Sequence, residues 1–201
     1  MNKMYHKKIY QLSEFFRAMV CLLNTLPYLK KAKAEKVINK PFIERIMLSV
    51  TQVNGCSLCS YQHTKIALKA GMSNSEIKRI LAGELDDVPN NEVIGVLFGK
   101  HVADQRGLFD QGYLEKLVNE YGKTKAYGIL GAVRLIMFTN IMGIAIGLIT
   151  DTVTLKNKNM KYFVHGIASL MFMIVAFPFA LLTSIVLRFI NVEHLVLGYQ
   201  K

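Results

Sequence analysis

Apolar positions recur along this chain at intervals of three and four residues, and a two-residue alternation persists nowhere. Ile43, Ile46, Met47, Val50 and Val53 make one such stripe, which stops at the turn dipeptide Asn54-Gly55. Two antiparallel helices are therefore expected to meet there. Ser73 to Glu84 reads as a short capped helix, and Asp86-Asp87-Val88-Pro89-Asn90-Asn91 as a turn. Val93, Val96, Leu97 and Val102 mark a helix from Glu92 to Gly107, and a further one is expected from Tyr113 to Tyr121. Near the start, Phe15-Phe16-Arg17-Ala18-Met19-Val20-Cys21 follows the basic residues Lys3, Lys7 and Lys8, with Glu14 and Arg17 interrupting the apolar run. That segment reads as an amphipathic helix, not a signal peptide. With no repeat and no low-complexity tract, the pattern predicts an all-α fold.

Two long apolar stretches close the chain. Ile129 to Ile149 carries Arg134, Asn140 and the GxxxG pair Gly143 and Gly147, and reads first as a core helix. Phe163 to Leu187 contains no Asp, Glu, Lys or Arg, and its length exceeds what spans hydrocarbon. Lys156, Lys158 and Lys161 precede it, while only Arg188 and Lys201 follow. The positive-inside rule then makes it a C-terminal anchor that keeps the rest of the chain on the cytoplasmic face of the cell membrane. Pro178 would kink it or divide it in two. The alternative is a helix pair buried in an oligomer.

Composition sharpens this picture. The 201 residues fit one domain or a domain with an appendage, and 52% hydrophobic content with a mean hydropathy of +0.27 places part of the surface in an oligomer or in lipid. The net charge of +11 gathers at Lys30, Lys31, Lys33, Lys36 and Lys40 and again at Lys156, Lys158 and Lys161. No nucleic-acid module accompanies it. Attraction to anionic lipid is the functional expectation for these lysines, beside the plainer one of a solvated face. Three cysteines without a secretory cleavage pattern suggest a reducing compartment.

The chemistry concentrates in Cys56-Ser-Leu-Cys59-Ser-Tyr-Gln-His63. On a helix, offsets of three and seven bring two thiols and an imidazole to one face, a redox or metal constellation. Glu44 lies ten residues before Asn54 and His63 eight after Gly55, so at about 1.5 Å per residue both reach similar height along the hairpin. Apolar Met47 and Leu48 next to Glu44 turn that carboxylate partly inward, where burial suits it to proton transfer. A closed zinc site wants four ligands, usually with a second pair some distance away, and no second pair is present. Cys21 stands alone among apolar neighbours, as a buried thiol does. His101 and Asp104 are further candidates on a polar helix face. A helix N-terminus favours Cys56 as the more acidic sulfur.

Glu44, eleven residues, CxxC, three residues and His63 together resemble the alkylhydroperoxidase D-like branch of the carboxymuconolactone decarboxylase family. The flanks agree, with Asn54-Gly55 in front and Ala70-Gly71-Met72-Ser73-Asn74-Ser75-Glu76-Ile77 behind, and the likeness runs roughly from Leu23 to Ile149. The resemblance implies an all-helical bundle that forms a homo-oligomer, here with an added hydrophobic C-terminal helix. Its expected organisation is an N-terminal amphipathic helix over 1–22, the bundle over 23–150, and a basic linker with the apolar helix over 151–201. It implies a dithiol–disulfide cycle that reduces hydroperoxides, with Cys59 as attacking thiol, Cys56 as resolving thiol and His63 with Glu44 as proton relay. No bound cofactor or metal is required, and a dithiol protein or small thiol would supply electrons. Leu58 stands where the best-known peroxidases of this type carry histidine. The true lactone decarboxylases lack the CxxC pair. The rival expectation is a membrane-associated structural or partner-binding protein whose CxxC, as a relict or a metal-binding site, is not catalytic.

Overall fold

The computed structural model describes residues 8–156, 158–190 and 197–200. Lys3, Lys7 and Lys201 lie outside the described residues. All regular elements among those described are helices, as the periodicity predicts: α1 (Leu12–Ala34), α2 (Lys40–Asn54), α3 (Ser57–Lys69), α4 (Asn74–Ala82), α5 (Asn90–Asp104), α6 (Gln111–Tyr121), α7 (Lys123–Val153) and α8 (Met160–Phe189).

Local chemistry sets most of the helix ends. Asn39 caps α2 by accepting the Phe42 N–H at 2.8 Å, with Pro41 in the first turn, where its missing N–H costs nothing. Gly55 ends α2 at φ +76°, a conformation that side-chain-bearing residues rarely adopt. Ser73 caps α4 through the Glu76 N–H at 3.1 Å. Glu14 closes the first turn of α1 by accepting the Gln11 N–H at 2.7 Å, and it also takes two hydrogen bonds from Arg106, at 2.6 and 2.7 Å. The α1 N-terminus is thereby tied to the end of α5.

The long α7 is the central element. α1 runs antiparallel along it so closely that a Cβ on Gly131 would stand 2.8 Å from the Thr25 carbonyl oxygen. On its other sides α7 receives α2, α3, α5 and α6. Ile46, Leu48, Val50, Val96, Ile129, Leu130, Val133 and Ile136 fill the space between and are fully buried. Arg45 of α2 clamps α4 and α5 to this body by hydrogen-bonding Glu76 at 2.6 Å and Glu92 at 2.8 Å. Burial opposes the charge on Arg45, but the two carboxylates outweigh it and raise its pKa above the ordinary value. Arg134 of α7 is buried and donates to the carbonyls of Gly107, Leu197 and Gly198, which holds the described C-terminal residues against the bundle.

Two features differ from the linear reading. α1 runs unbroken through positions 22 and 23, where amphipathic segment and bundle were expected to divide. Pro178 does not divide the last apolar stretch, because α8 is continuous from Met160 to Phe189 and docks lengthwise on α1 and α7. Pro27 has a consequence of its own inside α1. It cannot donate to the Leu23 carbonyl four residues back, and Arg188 of α8 hydrogen-bonds that oxygen at 2.5 Å.

Candidate active site

The α2–α3 hairpin carries the chemistry. Gly55 reverses the chain, and Cys56 becomes the cap of α3 and not a member of it; its Sγ accepts the Cys59 N–H at 3.2 Å. The two cysteines are joined as a disulfide. The expected shared helix face therefore applies to Cys59 and His63, one turn apart, while Cys56 meets Cys59 from the cap. Cys56 is fully enclosed, and Cys59 retains 7% exposure.

Glu44 and His63 do meet. Glu44 Oε2 lies 2.8 Å from His63 Nδ1, with the carboxylate buried on α2 and the imidazole partly exposed on α3. The carboxylate fixes which ring nitrogen faces inward, so Nε2 is the atom left to exchange a proton. Leu58 lies between the cysteines with its side chain substantially exposed.

α7 supplies the floor of the site. The Cys59 sulfur lies 3.6 Å from the Thr139 carbonyl oxygen, and a Cβ on Gly143 would stand 2.7 Å from Cys56 Sγ and 2.8 Å from Cys59 Sγ. The first glycine of the GxxxG pair is thus the position that admits the disulfide. Thr51 of α2 donates to Asn140 Oδ1 at 3.1 Å. Asn54, just before the turn, accepts the Tyr10 hydroxyl at 2.7 Å and places its own amide 3.3 Å from the Met137 sulfur. Burial pushes the Tyr10 phenol well above its ordinary pKa, against a smaller opposing pull from Arg106, so it stays a donor. Sequence reasoning missed Tyr10, Thr51, Asn54, Thr139, Asn140 and Gly143 as supports. Asn54 and Gly143 were visible there as a turn residue and a small residue, without a sign of what they touch.

The other candidates lie elsewhere. His101 of α5 stacks on Tyr113 of α6 with ring centroids 3.9 Å apart, and Asp104 sits 3.9 Å from Lys8. Cys21 is free and buried on α1. Among the described residues no three or more His, Cys, Asp or Glu side chains gather as a metal-binding group.

No curated protein and no solved structure matches this chain significantly. Residues 24–88, the stretch that holds Glu44, Cys56, Cys59 and His63, match the model of the carboxymuconolactone decarboxylase family.

Proposed function

We propose that this protein is a thiol-dependent peroxidase that reduces hydroperoxides by cycling Cys56 and Cys59 between dithiol and disulfide. The observation that carries this reading is the juxtaposition of a closed CxxC pair with a Glu44–His63 hydrogen bond on the same hairpin. Support also comes from the family match over these residues, whose members include such peroxidases.

In the reduced protein the Cys59 thiolate attacks the terminal peroxide oxygen, because Cys59 is the less enclosed of the two residues. The S–O bond forms as the O–O bond breaks, and the departing alkoxide takes a proton from His63 and leaves as the alcohol. Cys59 is now a sulfenic acid. The Cys56 thiolate, held at the cap of α3, attacks that sulfur, and the hydroxyl leaves as water when it gains a proton. Two thiols have given up two electrons and two protons in all. Glu44 orients His63 and stabilises the imidazolium as it reloads. A dithiol protein or small thiol then returns two electrons to the pair by thiol–disulfide exchange.

The test is a thiol count on reduced protein before and after one equivalent of an organic hydroperoxide. Loss of two thiols per chain, with the Cys56–Cys59 disulfide found by mass spectrometry, supports the reading. Both thiols remaining free, or a stable sulfenate at Cys59, removes it.

A further inference from the structure

The polarity of α8 is inverted relative to a helix on a water-soluble protein. Its buried residues are small or polar: Gly166, Ser169, Ala176, Ala180 and Ser184. His165 Nε2 lies 3.0 Å from the Tyr10 carbonyl oxygen, Ser169 and Ser184 are buried, and Ser184 donates to Asn24 Oδ1 at 2.6 Å. Its large apolar residues face outward instead, among them Val164, Met171, Ile174 at 71% exposure, Leu182, Ile185 and Phe189 at 87%. Thr183, the outward hydroxyl residue, bonds back to the Phe179 carbonyl of its own helix. A protein partner would be expected to meet about one hydrogen-bonding group per 100–200 Å² of such a face. Between Phe163 and Leu187 this face carries no charged side chain, and its outward hydroxyl is bonded within the helix, which is the surface that lipid hydrocarbon requires.

The fold also decides how α8 meets the lipid. α8 runs parallel to α1, with His165 beside Tyr10 at one end and Ser184 and Arg188 beside Asn24 and Leu23 at the other. Lys30, Lys31 and Lys33 follow Asn24 along α1, so they project about 9–14 Å past that level. All three are exposed. The charge asymmetry of the linear sequence thus disappears, because Lys156, Lys158 and Lys161 bracket one end of the apolar face and the α1 lysines the other. A membrane-spanning α8 would drive one lysine cluster through the bilayer and draw α1 and α7 into hydrocarbon with it. A helix lying in one leaflet places both clusters on the same anionic surface.

The redox pair is one helix away from this face. On α7, Phe138 packs against the cluster that Met19 and Val20 of α1 form with Ala176 and Ala180 of α8, and Leu148 and Ile149 lie against Gly166. Thr139 and Gly143, about 100° and 140° around the same helix from Phe138, hold the disulfide. The sector between carries Leu135, Met142 and Ile146, all apolar and half-buried. We propose that α8 lies lengthwise in one membrane leaflet and that the substrate is a hydroperoxide carried on a lipid acyl chain, reaching Cys59 along this apolar side of α7. This rests on the peroxide-reducing function proposed above. The two thiols supply two electrons and two protons, the lipid –OOH becomes –OH, water leaves, and the S–S bond forms.

The experiment uses the reduced full chain with two oxidants, cumene hydroperoxide in buffer and hydroperoxidised phosphatidylcholine in vesicles that contain phosphatidylglycerol. The comparison variant is Ile174→Glu with Leu182→Glu, both on the outward face. The wild type is expected to float with the vesicles and lose its thiols to both oxidants. The variant should stay in the aqueous fraction and lose its thiols at least tenfold more slowly to the vesicle oxidant, at an unchanged rate with cumene hydroperoxide. Equal rates of variant and wild type on vesicles would overturn the proposal, as would a wild type that pairs through α8 and ignores the vesicles. Failure with cumene hydroperoxide removes the peroxidase reading instead. Orientation is read on inverted membrane vesicles from cells, with Lys158→Cys and Ile190→Cys each placed in a Cys21→Ser chain. An impermeant maleimide should label both from the same side, and labelling from opposite sides shows a spanning helix and rejects the in-plane one.

Discussion

A Cβ on Gly143 would stand 2.8 Å from the sulfur of Cys59, closer than real Cβ contacts come. In an ordinary helix, replacing glycine by alanine gains about 0.5–1 kcal/mol. Here the methyl group meets both sulfurs, and overpacking of this kind costs about 1–3 kcal/mol. Gly143→Ala is therefore expected to destabilise the oxidised protein despite better helix propensity. Thermal unfolding with and without reductant checks this, and the loss should be larger in the oxidised form.

The pair Glu44 and His63 is expected to act on rate, not on folding. A positioned proton donor contributes about 10²–10⁴-fold, so His63→Gln should slow peroxide-dependent thiol loss by about 10²-fold or more. Glu44→Gln should slow it less, since the imidazole remains and only its orientation and charge stabilisation suffer. Stopped-flow thiol kinetics beside circular dichroism separate the two effects. Unchanged kinetics in both variants would leave the relay without a role.

The two cysteines should differ on substitution. Cys59→Ser removes the less enclosed of the two sulfurs and is expected to abolish reaction with peroxide. Cys56→Ser keeps it, and a trapped sulfenic acid at Cys59 should appear on treatment with a sulfenate-specific probe. The reverse pattern would make Cys56, the sulfur nearest the start of α3, the attacking thiol.

Arg45 joins α2, α4 and α5 through Glu76 and Glu92, with all three side chains mostly out of water. Arg45→Met leaves two carboxylates without their partner, and breaking such a pair costs about 3–5 kcal/mol. Arg45→Lys should recover little of this, because one ammonium cannot reproduce the guanidinium fork. Urea unfolding measures both variants.

Acid should weaken the join between α1 and α5. Burial acts to raise the Glu14 pKa, but hydrogen bonds from Arg106 and from the Gln11 N–H overcome it and hold the carboxyl below its ordinary value of 4.5. A carboxylate whose pKa is lowered by folding adds stability at pH above the unfolded value, and loses it as pH falls through the folded value. Stability of the wild type should thus drop more steeply below about pH 4.5 than that of Glu14→Gln. Denaturant midpoints across pH 3–7 for both proteins test this, and parallel curves would count against it.

What the sequence by itself determined was local. Helical periodicity placed α2, α4, α5 and α6 within a few residues of their ends, because backbone hydrogen bonds and caps act within four residues. Asn54-Gly55 marked the reversal that sets Glu44 against His63, since an αL residue at a helix end forces the chain back on itself. Relations set by packing were left to the tertiary structure. Cys56 is a cap and not part of a helix face, because α3 begins one residue after it. Gly143, 84 residues after Cys59, meets the sulfurs only because α7 crosses beneath the hairpin. Lys30 and Lys161 bracket one apolar face only because α1 and α8 lie parallel, a consequence of small side chains on α8 fitting α1 and α7. Contacts between distant segments depend on the complementary shapes of whole helix faces, and periodicity along the chain carries no record of which face meets which.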